Sequence, residues 1–186
     1  MANYIGRPVT QVPDYMVKNV VIPAATLITA GNVVIANSLD ATDGTRNLFA
    51  FAPTKPTTAG FAKYGVSVVL SPSFETLADN RMPAGNPDYT TYTYKANDVA
   101  TVVDCHAGMV FEISTDAIST PASATVGNFL IPTNNAFTLT ATATEPSAGA
   151  TASKTYFKIL QTKDFRLGGL NANQYAKTVV CQVIEL

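Results

Sequence analysis

The sequence predicts an all-β fold, a β-sandwich or β-barrel with an extended N-terminal arm and at most one short helix. Short runs rich in Val, Ile, Thr, Tyr and Phe recur along the 186 residues, and clusters of Gly, Pro, Asn and Asp separate them. No window long enough for a helix repeats apolar residues at helical spacing. Apolar residues make up 47% of the chain, which is enough for a folded core.

The first 16 residues differ from the rest, and we interpret them as an extended arm preceding a single all-β domain at residues 17–186. Pro8 and Pro13 interrupt this segment, and its apolar residues follow no period. A disordered tail usually carries fewer apolar side chains, so we expect the arm to become ordered on its own domain or on a neighbouring molecule. A frayed terminus is the alternative. The candidate contact residues in the arm are Tyr4, Ile5, Arg7, Val9, Val12 and Tyr15.

The predicted strands alternate with turn residues along the whole domain. In chain order they lie at residues 17–22, 32–36, 61–70, 89–94, 98–105, 109–114, 129–131, 136–144, 154–161 and 178–186. The one predicted helix lies within residues 71–80, where Ser71 or Ser73 is suited to cap a first turn.

Two stretches repeat one pattern of Thr, a small or apolar residue, Gly, Asn and three apolar residues. They are TAGNVVI at residues 29–35 and TVGNFLI at residues 125–131. Neither contains GxGxxG nor precedes a helix, so a phosphate-binding loop is disfavoured. We expect Gly31 and Gly127 to lie in tight turns with positive φ, each followed by a strand that enters the core. Two hairpins are also predicted, one turning at residues 106–108 and one at residues 145–149. Because Thr residues alternate at 138–144, the second hairpin is expected to lie at an edge or to project.

His106 follows Cys105, and this pair is the strongest candidate for catalysis, as a thiol nucleophile with its base. Neighbouring residues in a strand point to opposite faces, which argues against that role. One His and two distant Cys do not form a zinc site, and Cys105 and Cys181 are expected to be reduced and buried. We therefore predict that the chain is not an enzyme and that it has no catalytic residue, metal or cofactor.

The charge distribution limits the possible partners. The chain has 12 Lys and Arg against 13 Asp and Glu, with no basic cluster, so nucleic-acid binding is not predicted. No signal peptide or membrane-spanning apolar run is evident, and we expect synthesis in a cytoplasm without a membrane partner. Charged residues are only 13% of the chain, and a surface of Thr, Ala, Asn and Ser suits a protein that packs against neighbouring molecules.

Tyr92 and Tyr94 share one face of the predicted strand at residues 89–94. Such a face is able to bind a sugar or another protein, because Tyr combines a flat apolar ring with a polar tip. Packing on the domain's own core is the favoured alternative.

The order of Gly turns and β-branched strands at residues 29–34, 101–113, 126–131 and 179–185 resembles capsid decoration, or cement, proteins of tailed bacteriophages. This resemblance implies a β-sandwich or β-barrel that binds the major capsid protein on the outer surface of the virion as a homo-oligomer. It carries no catalytic motif. Residues 53–95 and 136–153 have no counterpart in it, which leaves open a tail or adaptor subunit and a carbohydrate- or receptor-binding fibre module.

Overall fold

The computed structural model describes residues 4–24, 26–40, 50–57, 65–71, 93–147, 154–166 and 175–186, and within them the chain forms thirteen strands in three sheets. The strands are β1 (Gly6–Pro8), β2 (Val17–Val21), β3 (Ile28–Thr29), β4 (Val33–Val34), β5 (Ala50–Phe51), β6 (Ser67–Val69), β7 (Thr93–Tyr94), β8 (Val99–Asp104), β9 (Val110–Ser114), β10 (Phe129–Pro132), β11 (Leu139–Thr142), β12 (Thr155–Arg166) and β13 (Tyr175–Glu185). The all-β prediction is confirmed.

Every predicted strand run contains a strand, whereas β1, β3 and β5 were not predicted. These three are two or three residues long, too short to show a period of two. The described residues contain no α-helix, only 3-10 turns at Asp14–Met16, Thr115–Ala117 and Pro121–Ser123. The helix predicted within residues 71–80 lies outside the described residues, apart from Ser71.

The largest sheet is six-stranded and antiparallel, in the order β1-β9-β13-β12-β10-β11. At its centre β12 and β13 pair along almost their full length, with a bulge where the register shifts between Ile159 and Gln161. A five-stranded sheet has the order β4-β6-β8-β2-β5, and in it only the β2–β5 pair is parallel. β3 and β7 form the third sheet.

The three sheets form layers around two cores. The first core lies between the six-stranded and five-stranded sheets and contains Phe111, Phe157 and Val103. The second lies on the other face of the five-stranded sheet, where Val102 packs with Ile28 and Tyr94 of the two-stranded sheet. Because side chains alternate along a strand, the adjacent residues Val102 and Val103 enter different cores. The predicted sandwich therefore carries a third layer.

Neither predicted hairpin exists. The turn at residues 106–108 is present, with Gly108 at φ +88°, but β8 belongs to the five-stranded sheet and β9 to the six-stranded sheet. This turn carries the chain from one layer to the next. The hairpin predicted to turn at residues 145–149 would pair β11 with β12, but β10 lies between these two strands in the sheet. β11 pairs with β10 instead, and it forms the sheet edge, as the Thr alternation predicted.

Gly31 and Gly127 both lie in turns, as predicted, with φ of +83° and +89°. In each turn the Asn N–H donates to the Thr carbonyl at 3.1 Å, which with a positive φ at Gly defines a type II turn. The turn at residues 106–109 has the same geometry. In all three turns, the Gly N–H donates a hydrogen bond to the carbonyl of one strand residue. The N–H of that strand residue donates back to the carbonyl of the residue that follows the Gly. The strand residues bound in this way are Val69, Val183 and Ile159.

Gly31 lies in a far more crowded place than Gly127. A Cβ on Gly31 would lie 2.8 Å from the Ile5 carbonyl oxygen and 2.9 Å from a methyl of Ile113. A Cβ on Gly127 would have no atom within 4 Å. The two turns share a backbone geometry, but only the first is built into the interior.

The difference between Gly31 and Gly127 predicts unequal costs for the same substitution. Gly127→Ala strains only the positive φ and should reduce the free energy of unfolding by about 1 kcal/mol. Gly31→Ala adds overpacking against backbone and should cost about 3 kcal/mol or more. Urea unfolding of both variants measures the two values. Equal costs would show that Gly31 tolerates a side chain and that the packing described for it is wrong.

Candidate functional site

The N-terminal segment, residues 4–16, lies on its own domain as an integral part of the six-stranded sheet. The Ser114 N–H donates to the Ile5 carbonyl at 2.9 Å, and the Val9 N–H donates to the Val110 carbonyl at 2.7 Å. Between them, β1 pairs with β9 in antiparallel register. Of the two supports expected for the arm, the chain's own domain is therefore the one observed.

In both outer strands of this sheet, some outward backbone groups are already hydrogen-bonded within the chain. Gly6 exchanges hydrogen bonds with Ser71, donating to its hydroxyl and accepting from its N–H. At the other edge, the Ala141 N–H donates to the Thr120 hydroxyl, and the Leu139 carbonyl accepts from Ser119. Open strand edges invite pairing with another chain, and these groups are protected from it. Contacts with a partner at these positions would have to come from side chains.

The N-terminal segment presents different side chains to the core and to solvent. Tyr4, Val12 and Met16 pack against the first core. Val9 is 54% exposed and Tyr15 is 78% exposed, and Val17 at the start of β2 is 40% exposed. We refer to Val9, Tyr15 and Val17 as the exposed N-terminal side chains. Their backbone is fixed by β1 on one side and β2 on the other.

A buried carboxylate ties this segment to the sheet. The Glu112 side chain is 1% exposed and accepts a hydrogen bond from Arg7 Nε at 2.9 Å. The Thr178 hydroxyl donates to it at 2.7 Å, and Lys163 Nζ lies 3.5 Å away. Burial raises the pKa of Glu112, but these hydrogen bonds and the charges of Arg7 and Lys163 outweigh it, so the pKa is lowered overall. Glu112 is therefore ionised at neutral pH.

Sequence reasoning missed Glu112, Lys163 and Thr178. The available signal was a Glu in the middle of the apolar run MVFEI, since a charge inside an otherwise apolar strand requires a partner. The partner itself, Arg7, is 105 residues away in sequence, and its pairing with Glu112 follows from the β1–β9 register.

The predicted contact residues divide into three groups. Val9 and Tyr15 are exposed, whereas Tyr4 and Val12 are half-buried and Arg7 is half-exposed and paired with Glu112. Ile5 is 1% exposed and Tyr94 is 3% exposed, so both are core residues and not exposed contact residues as predicted. Tyr92 lies outside the described residues.

Tyr94 supports the core alternative proposed for the tyrosine strand. Its ring packs in the second core, and its hydroxyl donates to the Leu70 carbonyl at 3.0 Å. The Tyr94 ring is therefore not exposed as a surface for stacking against a sugar.

Cys105 and His106 diverge, as the alternation of a strand predicts. Cys105 is buried, whereas the His106 side chain is 52% exposed and its Nδ1 lies 3.9 Å from a Glu185 carboxylate oxygen. Burial raises the pKa of the Cys105 and Cys181 thiols, and Cys181 and Asp104 add to the effect at Cys105. Both cysteines are free, and the raised pKa values keep both thiols protonated at neutral pH.

The described surface includes two open grooves. One groove, of about 470 Å³, is lined by residues that include Lys18, Asp104 and His106. In it, the Ser67 hydroxyl donates a hydrogen bond to one Asp104 carboxylate oxygen at 2.6 Å, and Lys18 Nζ lies 2.6 Å from the other. The other, of about 480 Å³, includes Lys163 and Lys177. Among the described residues, no three His, Cys, Asp or Glu side chains converge as metal ligands, and no helix has the length and apolar character to span a membrane.

Comparison with known proteins gives no relative: no family model, no curated protein and no solved structure matches this chain.

The buried thiols predict a chemical outcome. Both cysteines should resist a thiol reagent at pH 8 in the native protein, because the attacking species is the thiolate and burial suppresses it. Two thiols should react after unfolding in guanidinium chloride. The measurement is the absorbance released by a disulfide reagent with and without denaturant. Rapid labelling of a native thiol would contradict the burial described here.

Proposed function

We propose that the chain is a bacteriophage virion structural protein that decorates the outer surface of the major capsid lattice and stabilises the head. The observation that carries this proposal is the set of exposed N-terminal side chains, each on a backbone fixed by strand pairing or turn hydrogen bonds. Tyr15 is a large aromatic side chain left 78% exposed, on a segment whose neighbouring residues are ordered in a sheet. The resemblance to capsid decoration proteins supplies the partner.

Exposed aromatic and aliphatic side chains favour a protein partner. Tyr is enriched at interfaces and among residues that contribute most to binding energy. Because the Val9 amide is hydrogen-bonded and Val12 and Met16 pack on the core, little backbone entropy would be lost on binding. The fixed segment therefore suits repeated docking on identical sites.

The low charge of the chain indicates what kind of contact this would be. With 13% charged residues and a net charge of −1, an apolar contact would dominate, and its affinity would depend weakly on salt. Copies of the chain on a lattice, as a homo-oligomer, would gain avidity from several simultaneous contacts. Each contact could then be modest.

The structure determines which variants can test this proposal. Deleting the first 16 residues would remove β1, Ile5 and Arg7, so loss of binding would be confounded by damage to the fold. Substitutions at exposed side chains avoid this problem, because they leave the backbone pairing intact.

The double variant Val9→Ser/Tyr15→Ser should bind capsids at least about tenfold more weakly than the unmodified chain, since an interfacial Tyr commonly contributes about 2 kcal/mol. Co-sedimentation with capsids assembled from the major capsid protein of the same genome measures the affinity. Leu27→Ser is the matched control, because Leu27 is 75% exposed but lies outside the segment. Undiminished binding by the double variant, or no binding by the unmodified chain, would refute the proposal.

A further inference from the structure

We propose that Glu112 is an acid-sensitive latch that holds the N-terminal segment on the six-stranded sheet, so that acid releases the segment before the rest of the sheet unfolds. This inference concerns the chain alone and does not depend on the proposed capsid partner.

One carboxylate joins four neighbouring strands. Glu112 lies in β9 on the face opposite the first core, because the flanking Phe111 and Ile113 both enter that core. Its hydrogen bonds and ion pairs reach Arg7 in β1, Thr178 in β13 and Lys163 in β12. Among the described residues, the charged groups that act on Glu112 are the cations Arg7 and Lys163, and Thr178 in β13 contributes a neutral hydroxyl.

The N-terminal segment is the part of this arrangement that can leave. β1 has three residues and lies at the sheet edge, and Pro8 has no N–H to donate. β12 and β13, by contrast, are central strands of 12 and 11 residues. Short edge elements open at lower free energy than central strands. Arg7 lies directly opposite Glu112 in the register, so the latch acts on β1 itself.

Protonation of Glu112 removes the charge attraction between Glu112 and Arg7. Two cations would then face a neutral group, and β1 would lose the ion pair that ties it to β9. Because the folded-state pKa of Glu112 is lowered, the stabilisation is complete above the ordinary carboxyl value of about 4.3 and is lost as the pH falls through the lower folded-state pKa. The latch is closed at neutral pH and opens as the pH falls below the ordinary carboxyl range.

Glu112→Gln reproduces the protonated state at neutral pH and provides the test. Hydrogen–deuterium exchange with mass spectrometry should show peptides from residues 4–16 exchanging at least about tenfold faster at pH 7 in Glu112→Gln than in the unmodified chain. Peptides from β12 and β13 should keep their protection. In the unmodified chain, as the pH is lowered below the ordinary carboxyl range, the same segment should lose protection at a higher pH than β12 and β13, after correction for intrinsic exchange.

Glu185→Gln is the matched control, because it removes an equal charge from an exposed carboxylate in β13 and should leave residues 4–16 protected. Protection of residues 4–16 at pH 7 in Glu112→Gln would overturn the proposal, and so would simultaneous loss of protection in β12 and β13. If Glu112→Gln does not fold, Arg7→Gln breaks the same pair from its exposed side. Fast exchange of residues 4–16 in Arg7→Gln then supports the latch, and unchanged protection contradicts it.

Discussion

The close approach of two glycines is the constraint on which the rest of the structure depends. A Cβ on Gly6 would lie 2.3 Å from the Val69 carbonyl oxygen and 2.4 Å from the Gly31 nitrogen, so the backbone of β1 rests directly on the turn at residues 29–32. That turn binds Val69 in β6 through two backbone hydrogen bonds. β1 can thus pair with β9 in one sheet while touching the turn and strand of the other. No residue with a side chain fits at either position without moving backbone.

This crossing connects the fold to the proposed function. When β1 is paired with β9, the register places Arg7 opposite Glu112. The chain that follows runs from the six-stranded sheet to β2 in the five-stranded sheet. Val12 and Met16 then cover the first core, while Val9 and Tyr15 remain in solvent. The exposed apolar side chains are therefore a consequence of how the segment is anchored. A glycine contact fixes their position, and a buried ion pair determines whether the segment stays in place.

Local features of this fold could be predicted from the sequence, and long-range ones could not. Gly31 and Gly127 were placed in turns because only Gly accepts their positive φ at little cost, and the strand runs were visible from their β-branched residues. Strand partners are set by contacts between distant residues, so both predicted hairpins were wrong. The second core was missed because a continuous run such as residues 66–69 does not reveal that its neighbours face different layers. Exposure of Tyr15 and burial of Ile5 likewise depend on packing that no local pattern encodes.

We propose that the chain contacts a capsid through the outer side chains of its anchored N-terminal segment. This contact can be seen in an electron cryomicroscopy map of capsids carrying the bound chain, at a resolution that shows side chains. We expect Val9 and Tyr15 to lie against the major capsid protein, with β1 still paired to β9 and both sheets unchanged. A map in which the N-terminal segment faces solvent, and another surface of the domain meets the lattice, would contradict it.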